Sequence, residues 1–172
     1  MICLPSIARH EGIALLCCGE GSDANKSFLV NLFNSMGGVV VLDTERELET
    51  AMVRTCTMGP LYGTMKNQRD WLLASIPSLS KGDATRLVIR QFEGAILDLS
   101  AKAAVADEND KDNESSSEYD RIIETLIEEQ TPGGLNEQAL RNYEVLGGME
   151  DQRKVMRAIV SRIRGESDGK FE

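Results

Sequence analysis

The chain has 172 residues, 41% of them hydrophobic, and a formal net charge of −9. That length suits one domain and leaves two cramped. The acidic balance argues against a nucleic-acid or anionic-lipid surface, where phosphates need clustered Lys and Arg, and no apolar run reaches the ~18–20 residues of a membrane-spanning helix. The opening "MICLPSIARHEG" lacks the basic start and long apolar stretch of a signal peptide. Four cysteines, Cys3, Cys17, Cys18 and Cys56, form no C-x-x-C pair. They read as reduced thiols, small buried apolar residues in a cytoplasmic chain. A single histidine, His10, lies in a polar stretch, which excludes most His-based triads and multi-histidine metal sites.

In chain order, the run "IALLCC" (13–18) ending in "GEGSD" predicts a buried strand and a turn. Phe28, Leu29, Leu32, Phe33 and Met36 form a helical stripe closed by Gly37 and Gly38. The β-branched "VVVLD" (39–43) predicts a second strand, so this segment is one βαβ unit. From Glu45 onward only helical periods occur. Leu48, Met52 and Cys56 mark one stripe, and a long helix is expected from about Leu61 to Ile76, ended by Pro77. Val88, Phe92, Ala95, Ile96 and Leu99 mark the next. Further helices are marked by Tyr119, Ile122, Ile123, Leu126 and Ile127, then by Leu135, Ala139, Tyr143 and Leu146. The last carries Met149, Met156, Ile159, Val160 and Ile163. Between two of these helices, residues 107–120 hold seven carboxylates and one lysine among Ser and Asn. That composition predicts a flexible acidic insertion, either a plain solvated loop or a segment phosphorylated at Ser115, Ser116 and Ser117.

Two strands and one helix cannot form a stable sheet alone, and parallel sheets are normally covered on both faces. Residues 1–43 therefore read as the tail of a larger doubly wound sheet, and 44–172 as a helical domain suited to a bundle or to a second copy.

Three short motifs carry a resemblance. Ile2–Ser6 with Gly12 falls on a Met-Pro-Asn-Thr-Pro element followed by Gly. "TMGPLY", Thr57–Tyr62, falls on Gly-Ser-Gly-Pro-Ala-Tyr. Thr131–Asn136 falls on Ser-Pro-Gly-Gly-x-Thr, with "EVLGG" at the matching distance beyond. With these motifs the chain resembles the C-terminal part of the pyrroline-5-carboxylate reductase family. The resemblance implies a mainly α fold: a helical dimerisation domain preceded by a βαβ remnant of a doubly wound, Rossmann-type sheet. It also implies NAD(P)H-dependent reduction of a cyclic imino acid to proline or a related amino acid, and a homodimer. Leu4, Thr57, Met58 and Asn136 depart from the family pattern, which leaves the exact substrate open.

The turn at 131–136 is the candidate substrate site. A helix N-terminus offers free backbone N–H groups and partial positive charge to a ring carboxylate. Gly133 and Gly134 leave room for a ligand, Pro132 stiffens the entry, and Thr131 and Asn136 offer side-chain hydrogen bonds. Leu135 completes the site. In the family this loop holds the substrate carboxylate; the competing reading is a plain helix-starting turn. For Gly59-Pro60 the preferred reading is structural, a close helix crossing or a kink, with Tyr62 as a possible lining residue.

No cofactor-binding or metal-ligating residue is singled out, and no catalytic one. "GEGSDANKS" (19–27) has two glycines of a dinucleotide fingerprint but lacks the third. NAD(P)H is thus implied by the family and expected not to bind this chain alone. The alternative function is a non-catalytic helical dimerisation or partner-binding module.

Overall fold

The computed structural model describes residues 2–3, 12–18, 23–109 and 121–171. His10, residues 19–22 of the glycine turn, Tyr119 and residues 110–120 of the acidic segment lie outside them, as does most of the first motif.

The architecture is mainly α with a small sheet, as the sequence predicts. Strand β1 (Ile2–Cys3) pairs antiparallel with β2 (Ala14–Cys17), and β2 pairs parallel with β3 (Val39–Leu42). The β2–β3 register sets Ala14 opposite Val39 and Leu16 opposite Val41. Helix α1 (Asp23–Asn34) makes the crossover that a parallel pair requires. Sequence reasoning did not anticipate β1, because two residues carry no readable period.

Burial alternates along β2: Ala14 and Leu16 are buried, and Leu15 and Cys17 are half-buried. A strand covered on both faces would not alternate. Of the α1 stripe only Phe33 is buried, while Phe28 is exposed. Gly37 closes the helix with φ +128°, and a Cβ there would run into the Gly12 backbone. The chain needs glycine at this point, where α1 turns back beside β2. The Ala14 N–H then donates to the Gly38 carbonyl at 2.9 Å, opening the ladder.

Helix α2 (Glu45–Met52) packs on both parallel strands. A 3-10 turn, Val53–Thr57, follows without a change of backbone basin and buries Val53. The predicted Leu48–Met52–Cys56 stripe therefore crosses from one helix type to another. Cys56 is exposed and Cys17 and Cys18 are half-buried, all three as free thiols, which corrects the expectation that the cysteines are core residues.

The remaining helices are α3 (Met58–Ser75), α4 (Lys81–Asn109), α5 (Ile122–Glu128), α6 (Leu135–Val145) and α7 (Gly148–Ile163). Helix α3 stops two residues before Pro77, whose ring disfavours helix in the residue preceding it. Ser80 starts α4, its Oγ accepting from the Asp83 N–H at 3.1 Å. The α4 backbone runs through 107–109, the first residues of the acidic segment.

The chain divides into two compact units. One comprises residues 1–59 with 149–172; the other is 60–148. In the second, Ala106 of α4 and Ile122 of α5 are buried, and Lys102 reaches Glu129 at 2.7 Å. Ala84 and Val88 are also buried, but Leu87, Ile89, Ile96, Leu97 and Val105 of the same long helix are exposed. The helical periods are real, yet among the described residues of this unit much of each apolar stripe stands exposed.

Candidate functional site

Thr131, Pro132, Gly133 and Gly134 form one tight turn. The Gly134 N–H donates to the Thr131 carbonyl at 2.8 Å. Proline at the second position and a left-handed residue at the third, Gly133 at φ +72°, are the signature of a type II turn. Gly134 is then the N-cap of α6, extended at φ −78° and ψ 168°, with no side chain to cap the helix.

The two glycines play different parts. A Cβ on Gly133 would point into open space, so this residue is glycine for its φ. A Cβ on Gly134 would sit 2.8 Å from the Thr131 carbonyl oxygen and 3.1 Å from the Thr131 Cβ. The bareness of Gly134 is needed by the turn itself. Open approach for a ligand is thus a property of Gly133 and not of both.

Glu137, three residues after the cap, reaches back and accepts the Gly133 N–H at 2.6 Å, and Arg141 pairs with its other carboxylate oxygen. The Gly133 N–H first, and then the Arg141 charge, hold the Glu137 carboxyl below the ordinary glutamate range. Sequence reasoning passed over Glu137. The signal was present: a carboxylate three residues after a cap position is the spacing of a capping box.

Two amides of the turn are engaged within the chain, Gly133 by Glu137 and Gly134 by Thr131. The N–H groups of Leu135 and Asn136 find no acceptor among the described residues, and neither does that of Glu137. The Gln138 N–H donates to the Gly134 carbonyl, opening the helical ladder. Thr131, Leu135 and Asn136 are exposed, with Leu135 at 83%. The five sequence-predicted residues therefore lie together on one turn, presenting two free adjacent amides, the Asn136 side chain and an apolar Leu135 beside them. Free amides at a helix start favour an anion. Glu137 already supplies one, next to them.

The second motif, Thr57–Tyr62, runs across the boundary of the two units, and only Pro60–Tyr62 share a unit with the turn. Pro60 is the third residue of α3, which continues directly from the 3-10 turn Val53–Thr57. A Cβ on Gly59 would meet nothing within 4 Å, so no close helix crossing depends on it. Tyr62 is exposed and lines an α3–α4 hollow of about 200 Å3 with Met65, Val88 and Ile89. Lys66 and Arg69 at its edge are both paired with Asp70, at 2.5 and 2.6 Å. A larger apolar hollow of about 370 Å3 lies between α4 and α5, beside Val105, Ala106 and Ile122.

For a dinucleotide, the available helix start is that of α1. It opens on Asp23, whose carboxylate in the first turn disfavours an anion there, and residues 19–22 before it lie outside the described residues. No cluster of three or more metal-ligating side chains occurs among the described residues, and no described helix is long and apolar enough to cross a membrane.

No family model and no curated protein matches the chain. Solved structures do share its fold. A pyrroline carboxylate reductase from Plasmodium falciparum, determined with NADP bound, aligns over 96% of this chain and 62% of its own, with TM-score 0.63 and 16% identity. A pyrroline-5-carboxylate reductase from Coxiella burnetii aligns over 96% and 56%, with TM-score 0.66 and 18% identity. The chain thus has the fold of about six-tenths of these reductases, as its three motifs led us to expect.

Proposed function

We propose that the chain is the substrate-binding, self-associating part of an NAD(P)H-dependent reductase that converts a small cyclic imino acid, pyrroline-5-carboxylate or a near relative, to proline or the corresponding amino acid. The observation that carries this reading is the fold shared over 96% of the chain with two pyrroline carboxylate reductases. In it, β2, α1 and β3 within residues 1–43 are the closing part of a dinucleotide-binding sheet, and 44–172 form the helical domain.

The Thr131–Asn136 turn supports the substrate side. A ring carboxylate set on the Leu135 and Asn136 amides gains two charge-assisted hydrogen bonds, and the Asn136 side chain adds a third. Leu135 offers the apolar ring a surface. The cofactor is assigned to another segment of the reductase, since this sequence carries no complete G-x-G-x-x-G fingerprint. The exposed apolar faces of α4 and α6 favour a homodimer, because leaving such surface in water forgoes about 25 cal/mol for each Å2. The free thiols suit a reducing, cytoplasmic setting.

The test is kinetic. The chain is joined to the dinucleotide-binding domain of a solved reductase, and NADPH oxidation is followed with pyrroline-5-carboxylate. Substrate-dependent turnover by a folded dimer is expected. A folded dimer with no turnover on this or related cyclic imino acids overturns the reductase reading in favour of an association module.

A further inference from the structure

Helix α7 has no fully buried side chain, and its apolar stripe, Met156, Ile159, Val160 and Ile163, is half-buried in the compact unit that residues 149–172 share with 1–59. A polar hold adds to that partial apolar cover. Arg164, directly after α7, makes three hydrogen bonds to the short helix α2. Its Nε donates to Glu49 Oε2 at 3.2 Å, and its Nη2 donates to the Arg46 carbonyl at 3.3 Å and to Thr50 Oγ1 at 2.9 Å. Thr50 Oγ1 in turn donates to the same Arg46 carbonyl at 2.9 Å. Acceptors from positions 46, 49 and 50, on one face of a helical turn, suit the planar fork of a guanidinium, which a single ammonium cannot match. The Arg164 and Glu49 side chains are 18% and 30% exposed, so the pair is still partly open to solvent and its ions. Helix α2 packs against β2 and β3, so the hold ends on the sheet.

We propose that Arg164 is a latch, and that α7 with the residues after it is a strap docked on α2 by this polar hold, released as ionic strength rises while the β2–β3 ladder stays formed. The physics sets the sign. Salt weakens a partly exposed ion pair, because the screening length falls from ~10 Å at 0.1 M to ~3 Å at 1 M. Docking by apolar contact would not loosen in this way.

Amide hydrogen exchange on the full chain, at low salt and at molar sodium chloride, tests the proposal. The amides of residues 156–164 are expected to exchange about tenfold faster at high salt, with those of Ala14–Cys17 unchanged. Arg164→Ala should give the fast rate already at low salt and abolish its salt dependence. Arg164→Lys, which keeps the charge without the fork, should fall between. Glu49→Gln removes only the counter-charge, leaves the fold intact, and should likewise remove the salt dependence, so it decides the matter if Arg164→Ala does not fold. The proposal is overturned if 156–164 are indifferent to salt, if Glu49→Gln keeps the wild-type salt dependence, or if strap and strands always lose protection together.

Discussion

Helices α2 and α6 begin with a glutamate at the same third position, and they use it differently. At α2 the cap is Thr44. Its Oγ1 accepts the Glu47 N–H at 3.2 Å, and Glu47 Oε2 accepts the N–H groups of Thr44 at 3.1 Å and Asp43 at 2.9 Å. The box is closed on both sides. At α6 the cap is Gly134, which has no side chain, so the Glu137 N–H is left without the acceptor that Thr44 gives its counterpart. Glu137 itself reaches one residue further back, to Gly133. The α2 start seals its third amide, that of Glu47, while those of Glu45 and Arg46 find no acceptor among the described residues, like those of Leu135 and Asn136; the α6 start leaves its third amide, that of Glu137, open as well. The two starts therefore differ by one amide and by the side chain of the cap, Thr44 against Gly134.

Gly134→Val should break the comparison most severely. The new Cβ meets the Thr131 carbonyl 2.8 Å away, so the turn must open, at a cost of about 1–3 kcal/mol. A urea midpoint equal to that of the wild-type chain would show that Thr131 does not dictate glycine here. The substitution tests the turn before it tests the ligand.

Asn136→Ala probes the ligand directly. Its side chain has no structural task in the turn, so stability should hold while affinity for proline, followed by isothermal titration, falls roughly ten- to a hundredfold, the worth of one hydrogen bond to a charged group. Asn136→Thr should retain most of the affinity. Equal affinity for pyrrolidine, which lacks the carboxylate, would argue against an anion site.

On the sealed start, Thr44→Ala should cost about 1 kcal/mol of stability, measured by thermal unfolding, and leave proline affinity untouched. An effect on affinity would mean that the two helix starts are not independent.

The smallest effect concerns Glu137. Its folded-state carboxyl titrates below the ordinary glutamate range. The stability it lends is therefore fully present above that range, ~4.3, and is lost as the pH falls through the lowered folded value. Glu137→Gln should flatten that part of the stability–pH curve. An unchanged acid limb would show that the Gly133 contact is not maintained in solution.

Much of the fold was legible because its signals are local. Gly37 and Gly38, the β-branched run at 39–42, Pro77 and the helical periods each fix a boundary by backbone chemistry. What escaped was relational. Two residues of β1 have no period of their own and exist only through pairing with Ala14 and Leu15. Phe28, Ile96 and Leu146 sit at helical spacing yet stand exposed, at 66%, 60% and 82%, because spacing reports a face and not its partner. In the turn, the residue types were readable, while the unlike duties of Gly133 and Gly134 needed a φ angle and a distance. Glu137 was visible as a letter but not as the carboxylate that takes an amide of the turn.

The strand-bearing unit is built from two stretches that translation delivers far apart, with the whole of Pro60–Gly148 made between them. At ribosomal rates of ~5–20 residues per second, α7 follows Gly59 out by something on the order of ten seconds. Throughout that interval β2, β3 and α2 wait without their last helix, and the helices that emerge meanwhile carry unpaired apolar faces of their own. The strand-bearing unit is thus completed only when residues 149–172 appear, after the whole of 60–148 has been made.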